Sequence, residues 1–356
     1  MPIGRVRDLD ELGPRIEQWL AAHDRAWLAA HDRASAPHLV SLEHASAGWA
    51  NETVIVKYVS ADEGRDPRRV VVRLAPVAPT FPDDDLVMQG RVQEAVHDQG
   101  VPTAAPVTVE TDESWLGAPF LVMPFLDGHV PGEIPALDPW LSGCSSDVQS
   151  RLMETFIEGL VAIHSVDLRV SGLGECLRGA NTPLEDEVAW WEGYVHWASE
   201  GNPLRVVAEG LEWCRSHLPR TVPEHCLLWG DARLGNIVVS DEGLLEGVLD
   251  WDMASIGPPE MDLGWFLALD WAGEQLVGKR PPGFPGHESV VSSYEERIGR
   301  KTEDLEWYEL FALVRSLAIN NRQARLAREA GVRYISPADE RNPLAGLLKR
   351  RLEMIG

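Results

Sequence analysis

Apolar and polar positions change period along this chain, and the change divides it. Over residues 38–76 they alternate singly, through His38–Glu43, Glu52–Val59 and Arg69–Leu74, which is the period of strands buried on one face. Residues 84–99 read as a helix that ends before Pro102 and Pro106, and short apolar runs near 107–109 and 120–123 predict two more strands. Helical spacing then dominates, over 148–165, 184–199, 204–217, 260–272, 287–298 and 304–330. Mainly strands with one helix, followed by a mainly helical remainder, is an α+β pattern of two lobes, the first built on an antiparallel sheet. The divisions expected are an N-terminal helical arm (1–36), a strand-rich lobe (37–123), a hinge (124–127) and a helical lobe (128–356).

The arm carries a tandem repeat, Trp19-Leu-Ala-Ala-His-Asp-Arg-Ala26 followed by Trp27-Leu-Ala-Ala-His-Asp-Arg-Ala34. Its Ala, Leu and Arg content suits a helix, and an eight-residue period puts the two Trp on different faces. His23 and His31 are read as exposed helical histidines rather than metal ligands.

One stretch interrupts the helical half. Residues 227–239 read Leu-Leu-Trp-Gly-Asp231-Ala-Arg233-Leu-Gly-Asn236-Ile-Val-Val, and a second apolar segment ends in Leu-Asp250-Trp-Asp252. Asp241-Glu-Gly243 between them is a hairpin signal. An Asp, an Asn five positions on, a hairpin and a further Asp supply what phosphoryl transfer from a nucleotide needs. Asp231 can take the proton of an attacking hydroxyl, while Asn236 and Asp250 offer oxygen ligands to Mg²⁺. Arg233 is positioned to stabilise charge on the transferring phosphoryl group. Asp252 is an alternative or additional ligand.

This order of residues, with Leu-Asp250-Trp and then Gly257-Pro-Pro-Glu-Met-Asp262-Leu, resembles the aminoglycoside phosphotransferase family, small-molecule kinases of protein-kinase-like fold. Within it the chain is most similar to the branch related to phosphotransferase domains fused to acyl-CoA dehydrogenases. Trp229 stands where most members have His. The resemblance implies ATP as phosphoryl donor, GTP as an alternative, and Mg²⁺. It also implies that Asp262 braces the catalytic loop, and it makes His164 a family landmark read as a core histidine.

The resemblance places the nucleotide on the strand-rich lobe. The loop Ser46-Ala-Gly48-Trp-Ala-Asn51 has the small side chains a phosphate-covering backbone needs, though not the full glycine pattern of protein kinases. Arg73 occupies the strand position that delivers a cation to the phosphates, and its helix partner is Gln89 or Glu94. Met123-Pro124-Phe-Leu126 matches the hinge, with the Pro124 carbonyl and the Leu126 N–H facing adenine and Met123 bordering it.

Composition narrows the partners. A net charge of −24 argues against nucleic acid and leaves a cationic acceptor open. No apolar run reaches the ~18 residues of a membrane helix, the N-terminus lacks a signal-peptide core, and the four Cys form no C-x-x-C pair. A cytoplasmic protein acting on a small hydroxyl compound is the expectation, with oligomeric state left open. Fourteen Trp are present, and Trp140, Trp190, Trp191, Trp197 and Trp213 fall where the family builds its acceptor pocket. Aromatic walls suit an apolar acceptor, whereas Glu185, Asp186, Glu187, Glu192 and Glu200 would suit an aminoglycoside. The non-antibiotic alcohol is preferred. A catalytically weak nucleotide-binding scaffold is the rival of another class.

Overall fold

A computed structural model of the chain describes residues 7–27, 38–45, 51–59, 67–83, 85–180, 182–334 and 336–355, without the side chains of residues 24–27. The helices are α1 (Leu9–Trp27), α2 (Leu86–Asp98), α3 (Pro139–Gly143), α4 (Ser146–His164), α5 (Leu168–Ser171), α6 (Leu184–Ala198), α7 (Arg205–Ser216), α8 (Glu260–Val277), α9 (His287–Ile298), α10 (Leu305–Glu329) and α11 (Pro343–Ile355). The strands are β1 (His38–His44), β2 (Glu52–Val59), β3 (Arg68–Leu74), β4 (Thr108–Glu110), β5 (Phe120–Pro124), β6 (Cys226–Leu228), β7 (Ile237–Val239), β8 (Leu245–Val248) and β9 (Ser255–Gly257). The described residues form two compact units: those within 1–90, 104–125 and 326–333, and those within 91–103, 126–325 and 334–356.

The first unit is built on an antiparallel sheet of order β1-β2-β3-β5-β4. The register pairs Val54 with Val72, Val56 with Val70 and Leu74 with Phe120, so these side chains share one face. Helix α1 covers that face with Leu12, Ile16, Trp19 and Leu20, spaced as one helical stripe. Trp19 packs edge-on to Phe120 and its indole N–H donates to Glu110 at 3.0 Å. His23, one turn on, is half-buried and stacks on Trp19. Helix α2 lies over the opposite face, where a Cβ on Gly90 would come within 2.7 Å of Val109. Only glycine allows that approach. Because pleat alternates, Arg73 and Met123 belong to this second face, as their partners Leu121 and Val71 do.

The second unit is helical and carries two ribbons, β6–β9 and β7–β8. The chain runs β6, a loop through Asp231, a short 3₁₀ turn at Leu234–Asn236, β7, β8, a loop through Asp250, and β9. Two strand pairs therefore pin both ends of the two functional loops. β6, β9, α3, α5 and α11 lie beyond the elements expected from periodicity. The strands are three residues each, too short to show a period. Helix α11 did have a signal: Pro343 follows Asn342, whose side chain accepts from Leu344 N at 3.0 Å.

Candidate active site

The loop after β6 holds its backbone in a shape that glycine alone tolerates. Gly230 has φ of 88°, and a Cβ there would lie 2.2 Å from the Met253 carbonyl oxygen. The two functional loops are thus in backbone contact. Asp262, 1% exposed on the first turn of α8, accepts from Trp229 N at 2.7 Å and Gly230 N at 2.9 Å. It braces the loop from behind and is itself held by His164 Nε2 at 3.2 Å, whose Nδ1 meets the Tyr294 hydroxyl at 2.7 Å.

Trp229 stands at the family's usual His position and does positional work. Its indole N–H donates to the carbonyls of Leu249 at 2.8 Å and Asp250 at 3.1 Å. Leu249 N donates in turn to Asn236 O at 2.8 Å. These bonds bring Asp250 beside Asn236 across the hairpin. Asp250 adopts φ of 62°, a left-handed conformation costly for a non-glycine residue and held here by those bonds.

Three side chains grip the Asp231 carboxylate. Oδ2 accepts from Arg233 Nε and from Asn236 Nδ2, each at 2.7 Å, and Oδ1 accepts from Trp265 Nε1 at 2.9 Å. A carboxylate has about four acceptor positions. Those of Oδ2 are taken, and among the described residues Oδ1 keeps one open. Burial raises the Asp231 pKa above the ordinary Asp value, Arg233 opposes the rise, and the neighbouring Asp250 adds to it. The result is a carboxylate more basic than usual with one free lone pair.

Arg233 bridges Asp231 and Glu133. Burial would lower its pKa, but the two carboxylates raise it well above the ordinary value, so it stays charged. Its Nη2 makes no hydrogen bond among the described residues and is available to an anion. Trp265 and Glu133 are functional neighbours that sequence reasoning missed. Trp265 lies three positions after Asp262 on α8 and shares its face, which was the signal for it.

The Asn236 side chain is 5% exposed, and its amide nitrogen is committed to the Asp231 carboxylate and carbonyl. Its Oδ1 is thereby turned away as an acceptor. One amide oxygen and one carboxylate suit Mg²⁺, which binds through few protein oxygens together with substrate phosphates and water. Among the described residues no group of three His, Cys, Asp or Glu could hold a metal.

In the first unit, Asn51 is 3% exposed and its carboxamide faces Arg73; assigned with its oxygen on that side, as the guanidinium donors require, it accepts from Nε at 3.1 Å and Nη2 at 2.7 Å. Of the two proposed helix partners, Gln89 is buried and Glu94 is exposed on the helix surface. Met123 and Pro124 end β5, paired with Val71 and Val70. Leu126 follows in the second unit, and its backbone N–H has no partner among the described residues. Ser46 and Gly48 lie outside the described residues.

The aromatic residues of α6 divide between packing and exposure. Trp191 is 1% exposed and donates to Glu187 at 3.0 Å, whereas Trp190 and Trp197 are half-buried beneath the guanidinium groups of Arg178 and Arg322. Trp140 stacks on His129 and Trp213 on His217. Of the acids in this region, Glu187 pairs with Arg178, Glu192 with Arg215 and Glu200 with Arg325.

The sequence pattern of the phosphotransferase enzyme family (APH) matches residues 41–283. Acyl-CoA dehydrogenase family member 11 of Mus musculus is 29% identical over 238 residues, covering 63% of this chain and 29% of that protein. The chain thus spans about a third or less of the curated relatives it matches. Among solved structures, a Ralstonia eutropha JMP134 protein provisionally described as an aminoglycoside phosphotransferase aligns with a TM-score of 0.68 at 23% identity, covering 94% of this chain and 98% of that one. An ethanolamine kinase from Plasmodium vivax aligns with a TM-score of 0.63 at 12% identity, covering 99% and 90%. With more than half its length matched, and with the two-lobed α+β fold of its kinase-like neighbours, the chain belongs to the phosphotransferase enzyme family.

Proposed function

We propose that this protein is a kinase that transfers the γ-phosphate of ATP to a hydroxyl of a small molecule. The observation that carries the reading is the Asp231 carboxylate, gripped by Arg233, Asn236 and Trp265 and keeping, among the described residues, one lone pair of Oδ1 open. In the proposed reaction the acceptor oxygen bonds to the γ-phosphorus and the bond to the β–γ bridging oxygen breaks. The hydroxyl proton passes to Asp231 Oδ1, and ADP carries off the bridging-oxygen electrons. The open Nη2 of Arg233 meets an oxygen of the transferring group, where negative charge is shared. Mg²⁺, held by Asn236 Oδ1 and Asp250, would neutralise phosphate charge. Arg73, which Asn51 holds in the first unit, grips phosphate, and the Met123–Leu126 backbone receives adenine.

The acceptor is read as an alcohol with apolar or aromatic surface rather than an aminoglycoside. A polyamine needs carboxylates turned toward it, and three of the five acids of this region are engaged by Arg178, Arg215 and Arg325. Glu185 and Asp186 remain in the first turn of α6, where the helix dipole accounts for them. The test is a panel of hydroxyl compounds, kanamycin-type antibiotics included, assayed for phosphate transfer from ATP and from GTP. Transfer to apolar alcohols with kcat/KM of about 10⁴ M⁻¹s⁻¹ or more supports the reading. Comparable efficiency on kanamycin alone would replace the acceptor.

A further inference from the structure

Arg315 of α10 is 4% exposed, and nothing in the proposed reaction accounts for it. Among the described residues it has no carboxylate within ion-pair distance, and its single hydrogen bond runs from Nη2 to the Met261 carbonyl at 3.5 Å. Its guanidinium is instead enclosed by three rings, with its centre 4.8 Å from Trp265, 5.0 Å from Phe311 and 5.4 Å from Trp191. Burial depresses its pKa to about 10, with Glu187 and Asp262 opposing the shift, so it is a cation at neutral pH. A buried charge without a counter-ion is costly to keep. What it touches suggests why it is kept.

Trp265 is the side chain that donates to Asp231 Oδ1, the oxygen with the open lone pair. A cation over an indole face is drawn to the π electrons and withdraws density from the ring, which makes the ring N–H a stronger donor. Trp191, under the same guanidinium, likewise aims its N–H at a carboxylate, Glu187. Contact with α10 also fixes the ring plane of Trp265, and so decides which lone pair of Oδ1 is occupied and which faces a hydroxyl. We propose that Arg315 is a positioning residue for phosphoryl transfer, acting through the Trp265 ring to orient the Asp231 carboxylate. The inference rests on Asp231 being the base.

Two readouts test it. In protein labelled with ¹⁵N at Trp, the Trp265 indole signal, assigned by its loss in Trp265→Phe, should move upfield in Arg315→Met. Arg315→Lys, which keeps the charge, should move it less. In steady-state assays Arg315→Met should lower kcat about 10-fold, because small displacements of a catalytic group are expensive in rate, with KM for ATP changed less than 2-fold. Arg315→Lys should recover part of the loss. The double variant Trp265→Phe/Arg315→Met should be no slower than Trp265→Phe, since one residue acts through the other. Additive losses, or an indole signal that stays in place in Arg315→Met, would overturn the inference. If Arg315→Met does not fold, Arg315→Lys and Trp265→Phe form the same cycle. If the wild-type chain transfers no phosphate, the function above fails, while the indole signal still decides whether Arg315 acts on Trp265.

Discussion

Each of the two units holds one of the arginines proposed above to meet phosphate, and the two are held in different ways. Arg73 rises from a regular strand, its face set by pleat and its guanidinium held by the amide of Asn51. Arg233 sits in an irregular loop, tied to two carboxylates, three residues after a glycine at φ 88°. The Asn51 carboxamide fixes the direction of the Arg73 guanidinium on its strand. Two acidic partners make a clamp whose first role is to shape Asp231. Arg73 is placed by sheet geometry and Arg233 by a hydrogen-bond network, so under the proposed function substitutions at the two should fail differently.

The largest expected effect lies in the network. Asp231→Asn removes the proton acceptor and should lower kcat by about 10²-fold or more, while ATP affinity measured by calorimetry stays close to wild type. Unchanged turnover would remove Asp231 from its role. Asp262→Ala follows, since it strands the buried N–H groups of Trp229 and Gly230. At about 1–3 kcal/mol for each unpaired donor, chemical denaturation should show a clear loss of stability along with loss of activity. Stability equal to wild type would show that the brace is dispensable.

Smaller effects sharpen the comparison. Asp250→Ala should weaken ATP binding in the presence of Mg²⁺ by more than it weakens metal-free binding. Equal losses would shift the ligand role to Asp252. Arg73→Met should raise KM for ATP about 10-fold and leave thermal stability nearly unchanged, because losing one good charged contact costs roughly 1.4 kcal/mol. A fall in kcat with KM constant would place Arg73 in the network's class instead.

The smallest effect is remote from both sites. His287 Nε2 lies 2.7 Å from Glu309 Oε1, and that hydrogen bond raises the His287 pKa above its ordinary 6.5 despite partial burial. A folded-state pKa above the unfolded one means that the protonated pair stabilises the fold fully below about pH 6.5. That stability is lost as pH rises through the folded value. The melting temperature of wild type should therefore decline slightly more over this range than that of His287→Gln, and parallel curves would show that the pair contributes nothing.

What could be read from the sequence follows the same division. β2 and β3 were legible nearly to the residue, because single alternation survives wherever one sheet face is buried. That Asp231, Asn236 and Asp250 come together was legible from spacing, since a hairpin between them leaves few places for their side chains. Trp265, Glu133 and Arg315 were not. Trp265 bonds Asp231 from 34 positions away, Glu133 connects to it through Arg233 from 98, and Arg315 through the Trp265 ring from 84, and the only local mark is the α8 face that Trp265 shares with Asp262. Helix α1 was half legible. Its repeat announced a helix, but the stripe that seats it on the sheet begins at Leu12, ahead of the repeat. Sequence displays the charge of Glu187, Glu192 and Glu200 but hides the arginines that pair with them.

The central claim is that Asp231 accepts the proton of a hydroxyl attacking ATP. It is tested most directly by single-turnover transfer from γ-³²P-ATP to the acceptor panel, with wild type and Asp231→Asn run side by side. Labelled phosphate on a hydroxyl is expected with the wild-type protein, and about 10²-fold slower labelling with the variant. Equal rates in the two proteins, or ATP binding with no hydroxyl labelled by either, would contradict it.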